Sequence, residues 1–245
     1  MRVSILTLDV CCVSMNSCSL VTDDLSSSFA NIDETWPVSL ASSIYGESKV
    51  QAEKLVLDAQ EPNFATCILR PSVIFGENDD QLIPSIHACI GKGETPYIIG
   101  DGMNLWDVDY VGNVADAHVL AMENLFGSKT ASGEIFFVQN DEKVPFRNLC
   151  IAIWKNFHHL PPYEITIPES LGSIIGLLSE WFGWLARKPT TLSRGSAMDA
   201  CAVRYASGRK AEQVLGHRPK IGLEEGLRRS CEVCRSKPHS NCAQF

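Results

Sequence analysis

The chain has 245 residues, 45% hydrophobic and 20% charged, with 21 basic against 29 acidic side chains and a net charge of -8. This is the balance of an ordinary folded domain, with or without a smaller lobe, and it excludes a disordered segment. It also leaves no basic face for a nucleic acid or a strongly anionic membrane.

Val10 to Ser14 reads as a buried strand, because Asp9 interrupts the apolar run that a secretory leader would need. Leu20 to Leu40 is rich in Asp, Ser and Thr and reads as a long loop. A helical period begins at Tyr45, with Ala52, Leu55, Val56 and Ala59 as its apolar face, and Glu61-Pro62-Asn63 stops it. Thr66 to Leu69, cut by Pro71, reads as a short buried strand. Helix followed by buried strand is the grammar of an α/β fold. "IPSIHACIGKG" reads as a helix, and "YIIGDG" as a short strand entering a glycine turn. "VDYVGNVADAHVLAMENL" starts as a strand and becomes a helix, with Asn113 as N-cap and Asp116 in the first turn. "GEIFFVQND" is β-rich and "PFRNLCIAIWKNF" is helical.

Residues 165–188 form an apolar segment with Trp181, Trp184 and a terminal Arg187-Lys188 pair, interrupted by Gly172, Glu180 and Gly183. Its length is near the roughly 20 residues of a spanning helix. The segment suits an interfacial helix on a membrane surface, or a helix packed on a substrate lobe or a partner subunit. Ten cysteines are scattered over the whole chain and read mostly as reduced core residues. Cys231, Cys234, His239 and Cys242 lie close together, but their spacing matches no common zinc pattern, and no metal site is assigned.

The chemistry points to "SSIYGESKVQAEKLV", Ser42 to Val56. Tyr45 and Lys49 are four apart and share a helix face. A tyrosine with the ordinary pKa of about 10 is a poor base at neutral pH. A nearby ammonium favours the phenolate, which can exchange a proton with an alcohol while a hydride moves to a nicotinamide. The spacing alone is common by chance.

Here it stands in a series: "SMNSCS", "YGESK", "LRPSVIFG", "LWDVDYVGNVADAH" and a late "RY". In this order, from about Ser14 to Val233, the chain resembles the extended short-chain dehydrogenases, within them the 3β-hydroxysteroid dehydrogenase/isomerase family. The resemblance implies Tyr45 as catalytic acid/base and Lys49 as the lysine that favours its phenolate and holds the nicotinamide ribose. Ser17 of "NSCS" falls on the catalytic serine, with Ser14 and Ser19 close enough to compete. Pro71, Val73 and Ile74 fall on the turn that contacts the nicotinamide carboxamide. Asp107 and Tyr110 fall on the wall between the lobes. Asn113, Asp116 and His118 read as structural, and Arg204-Tyr205 lies near the substrate lobe without a firm role.

The implied activity is NAD- or NADP-dependent oxidation of a 3β-hydroxyl on a sterol- or steroid-like substrate. In the sterol-carboxylate branch the new 3-ketone makes the neighbouring 4α-carboxyl a β-keto acid, which loses carbon dioxide. The implied partners are that small molecule, a second copy of the chain in a homodimer, and a membrane surface touched through 165–188. The implied location is the cytoplasm or the cytoplasmic face of the endoplasmic reticulum. The implied fold is a partial Rossmann-like, doubly wound parallel sheet with a smaller, mostly helical substrate lobe. Residues 1–150 would be the C-terminal half of the nucleotide domain with interleaved lobe segments, and 151–245 the lobe with apolar helix 165–188 and a polar tail.

One departure is large. No G-x-G-x-x-G turn after a strand exists in the 245 residues. The chain is therefore expected to open near the family's fifth strand and to lack the pyrophosphate site. An exposed central strand edge and weak or absent dinucleotide binding follow from that. Two alternatives stay open: a catalytically inactive remnant, and a sugar-nucleotide epimerase or dehydratase of the same superfamily.

Overall fold

The computed structural model describes residues 10–18, 28–37, 44–172, 174, 198 and 200–236. Its parallel core is the sheet β1 (Val10–Met15), β3 (Phe64–Pro71) and β8 (Ile135–Val138), in the order β1-β3-β8. β3 is buried on both sides, with Cys67, Ile68 and Leu69 at zero exposure. Continuous apolar composition suits a strand covered on both faces.

Alternation along β3 sorts its neighbours. Ala65, Cys67 and Leu69 pack on α3 (Val111–Phe126) and on α5 (Arg209–Leu215), through Val114, Ala117, Ala121, Ala211 and Leu215. Thr66 and Arg70 point the other way and bond to Gln60 and Glu53, on and just after α1 (Ile44–Asp58). β1 is paired with β3 alone among the described residues. The Val10 amide donates to Asn63 O and the Asn16 amide to Leu69 O. Even-numbered amides of β1 therefore face β3, and those of Cys11, Val13 and Met15 face outward.

β3 passes through Ser72 into β4 (Val73–Phe75), which pairs with β7 (Val108–Tyr110). α2 (Leu82–Lys92) ends at Gly93, which closes it at φ 68°. β5 (Tyr97–Ile99) pairs with β10 (Ile165–Ile167). A mixed sheet runs β2 (Phe29–Ile32), β11 (Arg204–Ala206), β6 (Leu105–Trp106), β9 (Val144–Pro145). A second core joins α2, α4 (Phe146–Asn156) and α6 (Leu223–Ser236) through Ile83, Ile86, Leu149, Ile153, Trp154 and Leu227. Gly226 lets α6 approach β4 and β7: a Cβ there would lie 2.9 Å from Tyr110 Cδ2 and 3.1 Å from the Phe75 ring.

The α/β class and parallel pairing agree with the sequence reading, and several element boundaries and faces do not. The Leu20–Leu40 loop contains β2, whose inward Phe29 and Ile32 are too few to mark a strand and whose partner β11 lies far along the chain. The Thr66–Leu69 strand extends over Phe64–Pro71, and Val10–Ser14 reaches Met15, because pairing carries both past the apolar run. On α1 the expected apolar face is turned out: Ala52 is exposed and Leu55 is 70% exposed, while Glu53 faces the sheet. The Glu53–Arg70 ion pair sets that rotation.

Asn113 is not an N-cap. α3 starts at Val111, so Asn113 lies within its first turn, buried, bonding Asn140 Oδ1 and Ile221 O. Asp116 lies past the first turn and pairs with Lys220 at 2.9 Å. A helix does not begin at 165: Ile165, Thr166 and Ile167 form strand β10, and a helical turn follows Pro168. Residue 173 and residues 175–188 of the apolar segment lie outside the described residues, as do His239 and Cys242. Among the described residues no helix is long and apolar enough to cross a membrane. Cys231 is a fully buried member of the α6 core.

Candidate active site

Site residues gather where the parallel strands end. β1 delivers Asn16 and Ser17, and the β3–β4 turn delivers Pro71 to Ile74. α1 starts opposite them and presents Tyr45 and Lys49. All of these, together with Cys18, Phe29 and Arg204, line one cavity of about 630 Å³. A crevice beyond the carboxyl ends of the strands is where open α/β sheets bind ligands.

The structure therefore brings Ser17, Tyr45, Lys49, Pro71, Val73 and Ile74 together. Of the competing serines, Ser14 lies inside β1, paired with Ile68, and does not line the cavity, while Ser19 lies outside the described residues. Tyr45 is 51% exposed at the cavity mouth, and the Lys49 ammonium stands 5.6 Å from its ring centre. The first turn of α1 is fixed by Ser48 Oγ, which donates to Tyr45 O at 2.7 Å.

Beneath this pair lies a buried polar network that the sequence reading missed. Arg70, 1% exposed, donates from Nε to Glu53 Oε2 at 2.9 Å and from a terminal nitrogen to Oε1. Asn16 Nδ2 donates to Glu53 Oε2 at 3.0 Å and to Lys49 O at 3.3 Å. The end of β1, the middle of α1 and the end of β3 are thus tied by one carboxylate. Its signal was present: an arginine inside the apolar run "CILRP", and a glutamate four residues after Lys49 on the same helix face.

The β3–β4 turn has its own buried support. The Ser72 amide donates to Asp109 Oδ2 at 2.7 Å, and Ser72 Oγ donates to Asp107 O at 2.7 Å. Burial raises both carboxyls. Burial and the Asp141 carboxylate push Asp107 up to about 7, and burial and Asp107 hold Asp109 well above the usual range. Burial also pushes the Cys18 thiol, beside Ser17, up to about 12.

A carboxyl raised in the folded state keeps its proton where the unfolded chain has lost it. Its contribution to stability is full below about pH 4 and declines as pH rises through the folded value near 7. In urea denaturation from pH 4 to 7, Asp107→Asn is expected to gain on the parent by up to about 1.4 kcal/mol per pH unit. A difference independent of pH would show that Asp107 ionises as freely in the fold as outside it.

Residues 8–169 match the model of the 3-beta hydroxysteroid dehydrogenase/isomerase family. The chain is 39% identical over 202 residues to sterol-4-alpha-carboxylate 3-dehydrogenase, decarboxylating, of Schizosaccharomyces pombe, covering 82% of this chain and 59% of that protein. It is 33% identical over 193 residues to the mouse protein of the same description, covering 77% and 53%. The chain thus spans a little over half the length of these curated relatives. Among solved structures, UDP-glucuronic acid 4-epimerase of Bacillus cereus in complex with NAD superposes with a TM-score of 0.66 at 15% identity, covering 92% of this chain and 61% of that one. RMD of Pseudomonas aeruginosa complexed with NADPH gives 0.63 at 16% identity, covering 93% and 67%. These likenesses place the sheet in the Rossmann-type fold.

Proposed function

The chain belongs to the 3-beta hydroxysteroid dehydrogenase/isomerase family, and from that premise we propose that it acts in the NAD(P)-dependent oxidation of a 3β-hydroxyl on a 4α-carboxysterol, with loss of the carboxyl as carbon dioxide. The observation that carries this reading is the convergence of Ser17, Tyr45 and Lys49 with the 71–74 turn on one cavity. The donor set fits the nicotinamide end of a dinucleotide: an apolar wall of Pro71, Val73 and Ile74 faces a phenol and an ammonium. Bound there, the nicotinamide supplies the hydride acceptor.

The protein's own groups handle the proton. Ser17 orients the substrate 3-oxygen, and the Tyr45 phenolate takes its proton as the C3 hydrogen leaves with its electron pair. Lys49 stabilises the phenolate and is the group to hold the ribose. The product ketone stands next to the 4α-carboxylate. The bond from C4 to the carboxyl breaks, its electron pair moves to the 3-oxygen as an enolate, and carbon dioxide leaves. Tyr45 then returns a proton. Adjoining segments of the cavity wall would form the sterol lobe, with residues 1–150 contributing the nucleotide side and 151–245 most of the lobe.

A second reading rests on one sequence feature: no G-x-G-x-x-G turn is present to seat a pyrophosphate. On it the 245-residue chain is catalytically silent. One experiment separates the two. The purified chain is titrated calorimetrically with NAD(H) and NADP(H), then incubated with a 3β-hydroxysterol 4α-carboxylic acid. Micromolar binding, reduced cofactor and a 3-ketosterol one carbon smaller support the enzyme. A soluble, folded chain that binds neither dinucleotide overturns catalysis by this chain.

A further inference from the structure

We propose that Asp109 is a positioning residue of the cofactor site: by accepting the Ser72 amide it fixes the 71–74 turn as the wall that meets the nicotinamide. The inference rests on the nicotinamide reading above and names the group that shapes that wall. Ser72 stands where the chain changes partners. β3 makes its last ladder pair with β8 at Pro71–Val138, and β4 makes its first with β7 at Val73–Val108. Pro71 has no amide hydrogen, so Ser72 carries the first donor after the crossing, and that donor is buried. A buried amide must find an acceptor. The Asp109 carboxyl supplies it, Oδ2 accepting at 2.7 Å. Asp109 also lies opposite Ile74 in the β4–β7 register. One residue thus holds the turn twice, through its side chain at Ser72 and through its strand at Ile74. Pro71, Ser72, Val73 and Ile74 all line the cavity with Tyr45 and Lys49.

The other ties between this stretch and β7 do not take its place. Ser72 Oγ donates to Asp107 O, a backbone acceptor that leaves the Ser72 amide unserved. The Tyr110 hydroxyl donates to Glu77 at 2.8 and 2.9 Å, beyond the turn, and neither residue lines the cavity. Burial and the neighbouring Asp107 carboxyl hold Asp109 well above the usual carboxylate range, so it meets the amide as a neutral carboxyl. Asparagine copies that group in shape and as an acceptor, whereas leucine copies the shape alone. Without the acceptor the amide turns toward another partner, and the turn leaves the arrangement in which Val73 and Ile74 wall the site. Binding then falls with the fraction of molecules that keep that arrangement.

The test titrates the full 245-residue chain with reduced nicotinamide mononucleotide, which needs no pyrophosphate site, and follows the fluorescence of the nicotinamide. Asp109→Asn should bind it as the parent does. Asp109→Leu should bind it at least about tenfold more weakly, as when the competent turn falls to a tenth of the population. Affinity is taken per folded molecule, from the melting curve of each preparation, so a residue that only stabilised the fold would leave it unchanged. In the ligand-free chains, hydrogen exchange at the Ser72 amide should quicken in Asp109→Leu and stay slow in Asp109→Asn. Should Asp109→Leu fail to fold, Asp109→Val, shorter and suited to a strand, takes its place. Equal affinity in the parent and in the variant without an acceptor overturns the assignment and leaves the nicotinamide reading intact. Asp109→Asn binding as weakly as Asp109→Leu overturns it too, since the amide bond would then not be what matters. A parent that does not bind the mononucleotide overturns both.

Discussion

Replacing Arg70 with methionine should destabilise the chain by about 3–5 kcal/mol, the loss typical of stranding one partner of a buried ion pair. Arg70 and Glu53 are 1% and 5% exposed, so water cannot take over for the missing guanidinium. Asn16 would be left as the neutral donor to the stranded carboxylate. Changing Glu53 to methionine as well should recover much of the loss, since an apolar pair of similar volume is often no less stable than the ion pair. Urea denaturation of the two single variants and the double variant decides it. A loss under about 1 kcal/mol in Arg70→Met would show that solvent reaches the pair. The network also supports the cavity wall: Glu53 sits one helical turn beyond Lys49, and Asn16 bonds both Glu53 and the Lys49 carbonyl.

Tyr45→Phe should lower turnover of a 4α-carboxysterol by about 10²–10⁴-fold, the usual contribution of a positioned proton acceptor. Its thermal midpoint should match that of the parent, because the Tyr45 side chain is half-exposed at the cavity mouth and its ring stays. Lys49→Met should lower turnover as well, through the loss of the cation 5.6 Å from that ring. Steady-state rates at saturating cofactor and substrate, set beside thermal melts of the same preparations, separate chemistry from folding. Retention of turnover within tenfold in Tyr45→Phe would remove Tyr45 from the proton-transfer step.

Local patterns revealed α1 to α4 and, through their apolar runs, the strands β1, β3 and β8, while α5 and α6 went unread. That Tyr45 and Lys49 share a helix face was legible in the same way, whereas their proposed roles came from the family resemblance and not from the spacing. β2 was not legible, since four residues with two inward side chains resemble loop, and only β11, far along the chain, makes them a strand. The buried face of α1 was misread because hydrophobicity pointed to Leu55, whereas a charged pair at Glu53 fixed the rotation. Asn113 looked like a cap by type, but its amide and carbonyl are used by Asn140 and by the 220–221 backbone. Arg204 was visible as a residue and not as part of the cavity wall, since that cavity joins segments from opposite ends of the chain.

Among the described residues β1 pairs with β3 alone, and this has a further consequence. The outward amides and carbonyls of Cys11, Val13 and Met15 repeat along β1, which is held in parallel register with β3. Such an edge receives a strand more readily than it receives a surface. An extended segment that met this edge would pair with it by main-chain hydrogen bonds. In engineering terms, an edge of this kind, where no segment outside the described residues covers it, is where a fragment would join the sheet without a covalent bond.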